Sequence, residues 1–349
     1  MLINLTTTRG INFANILLML VSCAIAFVLP FELFLFSYAV LGPLHYLTEI
    51  SWLHKSNYYT KNKYDFLWLV VFGLLTTISS IFPEFMEKIT KALVSVLPGL
   101  ESWDIGSNVI FVGFMLSLIF VLIKTNYVRF LAVFVLVIIS FIFQDNNFYI
   151  LFFTIFLPTL IHVFIFTFIF LLYGAMKSNS ATGYASAVVM IGCSLACLFL
   201  FPSYSGHQIS EYVRNSYRDF SAVNFHIINL FHLEDLSHAG ADIFGVIYNS
   251  PTGVVVMRFI AFAYTYHYLN WFSKTSVIKW HEVPKVRMAI VLILWLSAIG
   301  FYAYNYNLGL KVLFLLSFMH VYLEFPLNFH SFIGMGRVAK GWFQKPKLA

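Results

Sequence analysis

Apolar residues in this chain run in long stretches broken by short polar connectors. Nowhere do they alternate with polar residues in the two-residue rhythm of a half-buried strand. Ten stretches are long enough to cross roughly 30 Å of hydrocarbon. They lie near 11–29, 31–53, 65–83, 107–123, 128–143, 148–174, 182–201, 252–273, 286–305 and 309–328. A backbone immersed in lipid must satisfy its own hydrogen bonds, which leaves helices or a closed barrel, and the missing alternation removes the barrel. The pattern therefore predicts an all-α polytopic integral membrane protein with about ten transmembrane helices, forming a single transmembrane domain over residues 1–349.

Two segments break the pattern. Between the third and fourth stretches, Pro83 to Gly106 carries Glu84, Glu87, Lys88 and Lys91 at a spacing that suits a short helix lying at the membrane interface. Between the seventh and eighth, residues 202–251 form the longest polar segment, too long for a simple connection, and predict a loop or lid outside the cytoplasm. Pro158 predicts a kink in the sixth span, one turn before His162.

Composition agrees with the pattern. Of the 349 residues 60% are hydrophobic, 10% are charged and 40 are Phe, a balance that a single water-soluble core could not hide. The net charge of +6 does not point to nucleic acid, because the cations sit in short loops beside spans. One set of loops collects Arg9; Lys55, Lys61 and Lys63; Lys124 and Arg129; Lys177; Lys274, Lys279, Lys285 and Arg287; and Arg337, Lys340, Lys345 and Lys347. The alternate loops are acidic or mixed. Positive-inside topology then puts both termini in the cytoplasm of a cell, or inner, membrane. The first stretch follows a single Arg9 and precedes no small-residue cleavage site, so it reads as a retained span. Cys23, Cys193 and Cys197 all fall within apolar runs and carry no information about redox compartment.

Ionisable residues inside spans are costly and mark cavities, partners or functional sites. The second span reads His45-Tyr-Leu-Thr-Glu49 and continues to His54, and the tenth reads His320-Val-Tyr-Leu-Glu324 and continues to His330. The eighth reads His267-Tyr-Leu-Asn270-Trp271, followed by His281-Glu282 in a basic loop. A His and a Glu four apart on a helix lie one turn above each other, so both can reach one ion or share one proton. By the charge alternation these three spans all run toward the cytoplasm, which puts the whole set at similar depth. The expectation is a metal site with His45, Glu49, His267, His320 and Glu324 as ligands and His54, His281 and His330 as outer ligands or supports. Imidazole with carboxylate suits iron, as one ion or two, with zinc as the alternative. Tyr264 and Tyr268, one turn apart, and Asn270 are candidate substrate-facing or catalytic residues. Trp271 and Trp280 read as interface anchors. Arg258 suits either snorkelling or an anionic partner. A second polar group, His207, His226, His232 and His238 with Glu234, Asp235 and Asp242, lies in the 202–251 segment.

With these residues the chain resembles the histidine-rich multispan membrane oxygenases, among them the bacterial β-carotene-cleaving dioxygenases and the fatty-acid hydroxylases and desaturases. His238-Ala-Gly-Ala-Asp242 echoes a His-Phe-Gly element of the carotenoid enzymes. The adjacent-histidine and three- or four-spaced histidine boxes of the hydroxylases are absent. The resemblance implies iron held near one membrane face, oxygen chemistry on a lipid-like or polyene substrate entering from the bilayer, and an electron-donor protein as partner. Two other classes remain open: a proton-coupled transporter using the same His and Glu residues, and a non-catalytic membrane protein that docks a partner through 202–251. An acyl transferase built on His267 and Asn270 is a further alternative. No phosphate-cradling glycine loop, dinucleotide fingerprint or nucleophile elbow is present.

Overall fold

The computed structural model describes residues 7–96, 105–200, 208–236 and 242–344, and among these residues there is no strand. His207 and His238, with the flanking residues 201–207 and 237–241, lie outside the described residues, as do Glu101, Asp104, Lys345 and Lys347.

In chain order the helices are α1 (Thr8–Val28), α2 (Pro30–Phe36), α3 (Gly42–Lys55), α4 (Asp65–Ile81), α5 (Pro83–Val96) and α6 (Ile105–Leu122). They continue with α7 (Asn126–Phe143), α8 (Asn147–Leu151), α9 (Thr167–Ser178), α10 (Ala181–Phe199), α11 (Glu211–Tyr217) and α12 (Ser221–Leu230). The last are α13 (Ile243–Asn249), α14 (Pro251–Ser273), α15 (Thr275–Ile278), α16 (Lys285–Tyr304) and α17 (Tyr306–Gln344). Two π-helical stretches interrupt this series: Ser37–Leu41 joins α2 to α3, and Phe152–Phe166 joins α8 to α9.

The protein is an all-α polytopic membrane protein. Among the described residues seven helices are long and apolar enough to span a bilayer, and nine if each of two sharply bent pairs counts as one span. Gly106–Leu122, at the fourth expected position, is a shorter apolar helix. The bent pairs have local causes. After Phe82 the chain turns by 109° at Pro83, which starts α5 and cannot continue the hydrogen-bond ladder of α4. Between α13 and α14 it turns by 68° at Ser250-Pro251. There Ser250 accepts the Gly253 N–H and Pro251 occupies the first helical turn, where its missing N–H costs nothing. A side chain at Gly253 would collide with the Val246 and Ile247 carbonyls, so this turn needs glycine. Another reversal, from α9 to α10, uses two residues: Asn179 in the left-handed region at φ 47° ends one helix, and Ser180 caps the next through the Gly183 N–H.

The stretch expected to form a short helix is helical as α5, with Glu87 and Lys91 paired at 2.6 Å on its exposed side. The final helix departs from expectation. The tenth apolar stretch ends near residue 328, yet α17 runs on to Gln344 with Pro326 inside it. The 202–251 segment is also more ordered than a polar loop implies, since α11, α12 and α13 fall within it.

The chain divides into two units. The first comprises residues 1–45, 159–309 and 334–349, and the second 46–158 and 310–333. In the first, α14 is the central element, packing on α1, α2, α10, α12 and α13. Its buried residues cover every side of the helix, from Gly253 to Trp271, as expected of a helix enclosed by others. In the second, α6 packs between α4 and α7. Lipid-facing sides are plain on α7 and α16, where the apolar window is only 17% buried and Phe130, Ile142, Ile293 and Leu296 stand exposed.

Candidate metal-binding residues

In the first unit, α14 brings His267 into a buried cluster of rings. His45, from the first turn of α3, meets it edge-on with ring centroids 4.8 Å apart. His162, from the long π-helical stretch, lies 5.0 Å away on centroids. The ligand nitrogens of His45 and His267 come within 4.8 Å of each other. Thr167 Oγ1, at the start of α9, is 2.8 Å from His267 Nδ1, while His267 Nε2 is buried without a hydrogen-bond partner. A ring held at one nitrogen and open at the other is how proteins present a metal-ligating histidine. Tyr268 and Trp271 wall the cluster, with centroids 5.4 and 5.5 Å from the His45 ring. Trp271 is buried and therefore not the interface anchor expected from its position in the sequence.

The other α14 candidates face different neighbours. Tyr264 joins an aromatic cluster with Phe34, at 4.9 Å, and Tyr38, at 6.3 Å. Tyr217 of α11 and Phe220 pack onto the same Phe34 ring at 5.2 and 4.9 Å, so part of the expected lid segment is a fixture of this core. Asn270 takes part in a polar network instead of pairing with His267. Tyr266 donates to Asn15 Oδ1 at 2.9 Å and approaches Asn270 Oδ1 at 3.5 Å, and Ser273 donates to Asn15 as well. Arg258 is buried with its guanidinium 4.8 Å above the Phe27 ring, so it has not snorkelled into water. Cys23 and Cys197 are free thiols with sulfurs 3.7 Å apart.

In the second unit, α17 carries His320, Glu324 and Asn328 at four-residue spacing, all buried. His320 and Glu324 present ligand atoms within 4.8 Å of each other. Tyr46 of α3 stacks on the His320 ring at 4.0 Å and 23°, and Glu49, one turn on, is buried within electrostatic reach of Glu324. Two carboxylates that face each other away from water call for a bound cation or a shared proton. Both amide atoms of Asn328 are buried without a hydrogen-bond partner, which adds a neutral oxygen donor to the group. The neighbouring Tyr322 is held by Thr76 at 2.8 Å.

The three expected outer histidines join no metal-ligating group among the described residues. His54 is exposed beside Tyr58, His281 is exposed beside Trp280, and His330 is exposed with Nε2 3.1 Å from the Tyr59 carbonyl. The ligand set expected from the sequence lacks His162, Thr167 and Asn328. Asn328 is within reach as the next four-residue step after Glu324, but His162 sits where the helix has π geometry and the 3.6-residue rule does not apply.

The second polar group disperses into local roles. Asp242 caps α13 through the Gly245 N–H at 2.8 Å, Glu234 accepts from Thr252 at 2.9 Å, and His232 is exposed at φ 49°. Partial burial pushes the His226 imidazole below its ordinary value. Among the described residues this segment forms no metal-ligating group.

Compared with family models, with curated proteins and with solved structures, the chain matches none.

Proposed function

We propose that the protein is a membrane-embedded, metal-dependent oxidoreductase, with iron as the metal and a lipid-like or polyene molecule as substrate. The observation that carries this reading is His267, pinned at Nδ1 by Thr167 and open at a buried Nε2 beside the His45 and His162 rings. In the first unit the ligands are His45 and His267, whose ligand atoms lie within 4.8 Å of each other, with the His162 ring beside His267. In the second they are His320 and Glu324, with Glu49 within electrostatic reach of Glu324. Imidazole and carboxylate donors suit iron and also zinc. Bound iron with open positions would supply oxygen chemistry.

The chain's own residues do the rest. Thr167 fixes the His267 ring plane, and by accepting from Nδ1–H it leaves Nε2 as the nitrogen that ligates. Tyr268 and Trp271 keep water from His45, and the Phe34–Tyr38–Tyr264 cluster offers an aromatic wall to an apolar substrate. Elemental analysis of the purified protein tests the assignment. Iron retained at one or two ions per chain and lost on His267→Ala or His320→Ala supports it, and metal content unchanged in both variants overturns it.

A second reading is favoured by the sharply bent pairs α4–α5 and α13–α14 and by the two π-helical stretches, features of interrupted carrier helices. On that reading the buried His and Glu residues relay protons. Proton-driven uptake by metal-free protein in proteoliposomes would establish it.

A further inference from the structure

A crevice of about 540 Å³ opens in the second unit where α4, α6 and α7 meet their connecting loops. That volume is in the range of small-molecule sites. Its inner wall is Phe72, Leu116 and Phe120, and Trp68 and Phe130 form a rim that is 59% and 74% exposed. Its loop end is polar. Arg129 is buried there in a two-pronged pair with Asp65, at 2.7 and 2.9 Å, donates from Nε to the Ile123 carbonyl at 2.8 Å and lies 5.0 Å over the Phe120 ring. Asn62 and Asn126 complete that end.

Charge at the mouth decides what kind of molecule fits. The Arg129 charge is already met by Asp65, but Lys61, Lys63 and Lys124 are exposed on the two loops that frame the opening. The Lys61 N–H bonds the Phe120 carbonyl at 3.1 Å, fixing its loop against α6, and the Lys63 amine sits 5.4 Å over the ring of Tyr64, a lining residue. Residues 55–65 and 122–130 together carry Lys55, Lys61, Lys63, Lys124 and Arg129 against the single acid Asp65. An apolar slot whose polar end lies between two loops with surplus cations matches one acyl chain joined to an anionic headgroup.

We propose that this crevice is a binding site for an anionic phospholipid. Its acyl chain lies along Phe72 and Phe120 between the Trp68 and Phe130 rims, and its phosphate is held by Lys61, Lys63 and Lys124 with Asn62 and Asn126 as neutral donors.

Photo-crosslinking of the full chain in nanodiscs tests this, using phosphatidylglycerol with a photoreactive acyl chain as probe. Adducts should map by mass spectrometry to α4, α6 and α7 around Trp68, Phe72 and Phe130. Unlabelled phosphatidylglycerol should displace them and phosphatidylcholine should not. The triple variant Lys61→Gln, Lys63→Gln, Lys124→Gln should cut labelling about tenfold or more at low salt. Val133→Trp, which fills the crevice without changing charge, should also remove the adducts while thermal unfolding confirms a folded protein. Equal displacement by phosphatidylcholine, adducts spread over other helices, or labelling that survives the lysine changes would each overturn the proposal.

Discussion

Thr167 Oγ1 occupies Nδ1 of His267 at 2.8 Å and so leaves Nε2 as the nitrogen that faces the first-unit cluster. If the Thr167 hydroxyl orients a ligand, Thr167→Val should lower metal affinity by about 10–100-fold while leaving the protein folded; metal titration of the apo protein measures this. Lys274, just past the end of α14, gives a residue-level test by pH. Burial pushes its amine down to about 8 from the ordinary 10.5. The folded state therefore carries a disfavoured charge below pH 8, and this cost fades as the pH rises toward 10.5, where the unfolded chain loses the proton too. Lys274→Met should raise the thermal midpoint below pH 8 and lose that advantage at higher pH, as unfolding in detergent across this range will show. Several site residues are legible in the sequence because His-x-x-x-Glu spacing makes one face of any α-helix, which singles out His45, Glu49, His320 and Glu324. His54, His281 and His330 share those stretches or their flanks but are exposed, His54 at the end of α3, His281 in a loop and His330 on an open side of α17, where water competes for them.

Interruptions explain what the elements add to the pattern of apolar stretches. A hydropathy pattern finds lengths of helix, but it cannot tell a kink from a π-helical stretch. Pro158 predicts a simple bend; instead residues 152–166 widen into π geometry that accommodates the missing N–H and presents His162 to His267. Pro158→Ala should let this stretch revert toward α-helix and turn His162 away, lowering the metal content of a protein that still folds. In the second unit α4 and α7 are tied by Asp65 and Arg129. Asp65→Asn leaves an unmatched buried charge and should destabilise by about 3–5 kcal/mol, whereas combining Asp65→Asn with Arg129→Met should recover most of that loss; paired unfolding curves decide it. The polar 202–251 segment reads as a lid because composition reports exposure and not packing. Tyr217, fully buried against Phe31 and Phe34, is the residue that betrays its structural role.

For the molecule as a whole, the membrane class follows from composition and stretch length alone, since no other solvent accommodates so much apolar surface. The division into two units is not legible, because its boundaries fall inside or beside helices, at His45–Tyr46, Pro158–Thr159, Gly309–Leu310 and Ile333–Gly334, where nothing in the sequence changes character. Each unit encloses ionisable groups that a bilayer-embedded protein keeps only at a cost, about 2.5–3.5 kcal/mol for a charged side chain at the centre of a span. On the proposed reading, a bound metal ion would offset that cost. Whether metal is bound is decided by elemental analysis of protein purified without chelators, run beside His267→Ala and His320→Ala samples verified as folded. One or two iron ions per native chain, with a loss in each variant, is the expected result. A native protein free of iron, zinc and manganese would refute the metal assignment and turn the same residues toward proton transport.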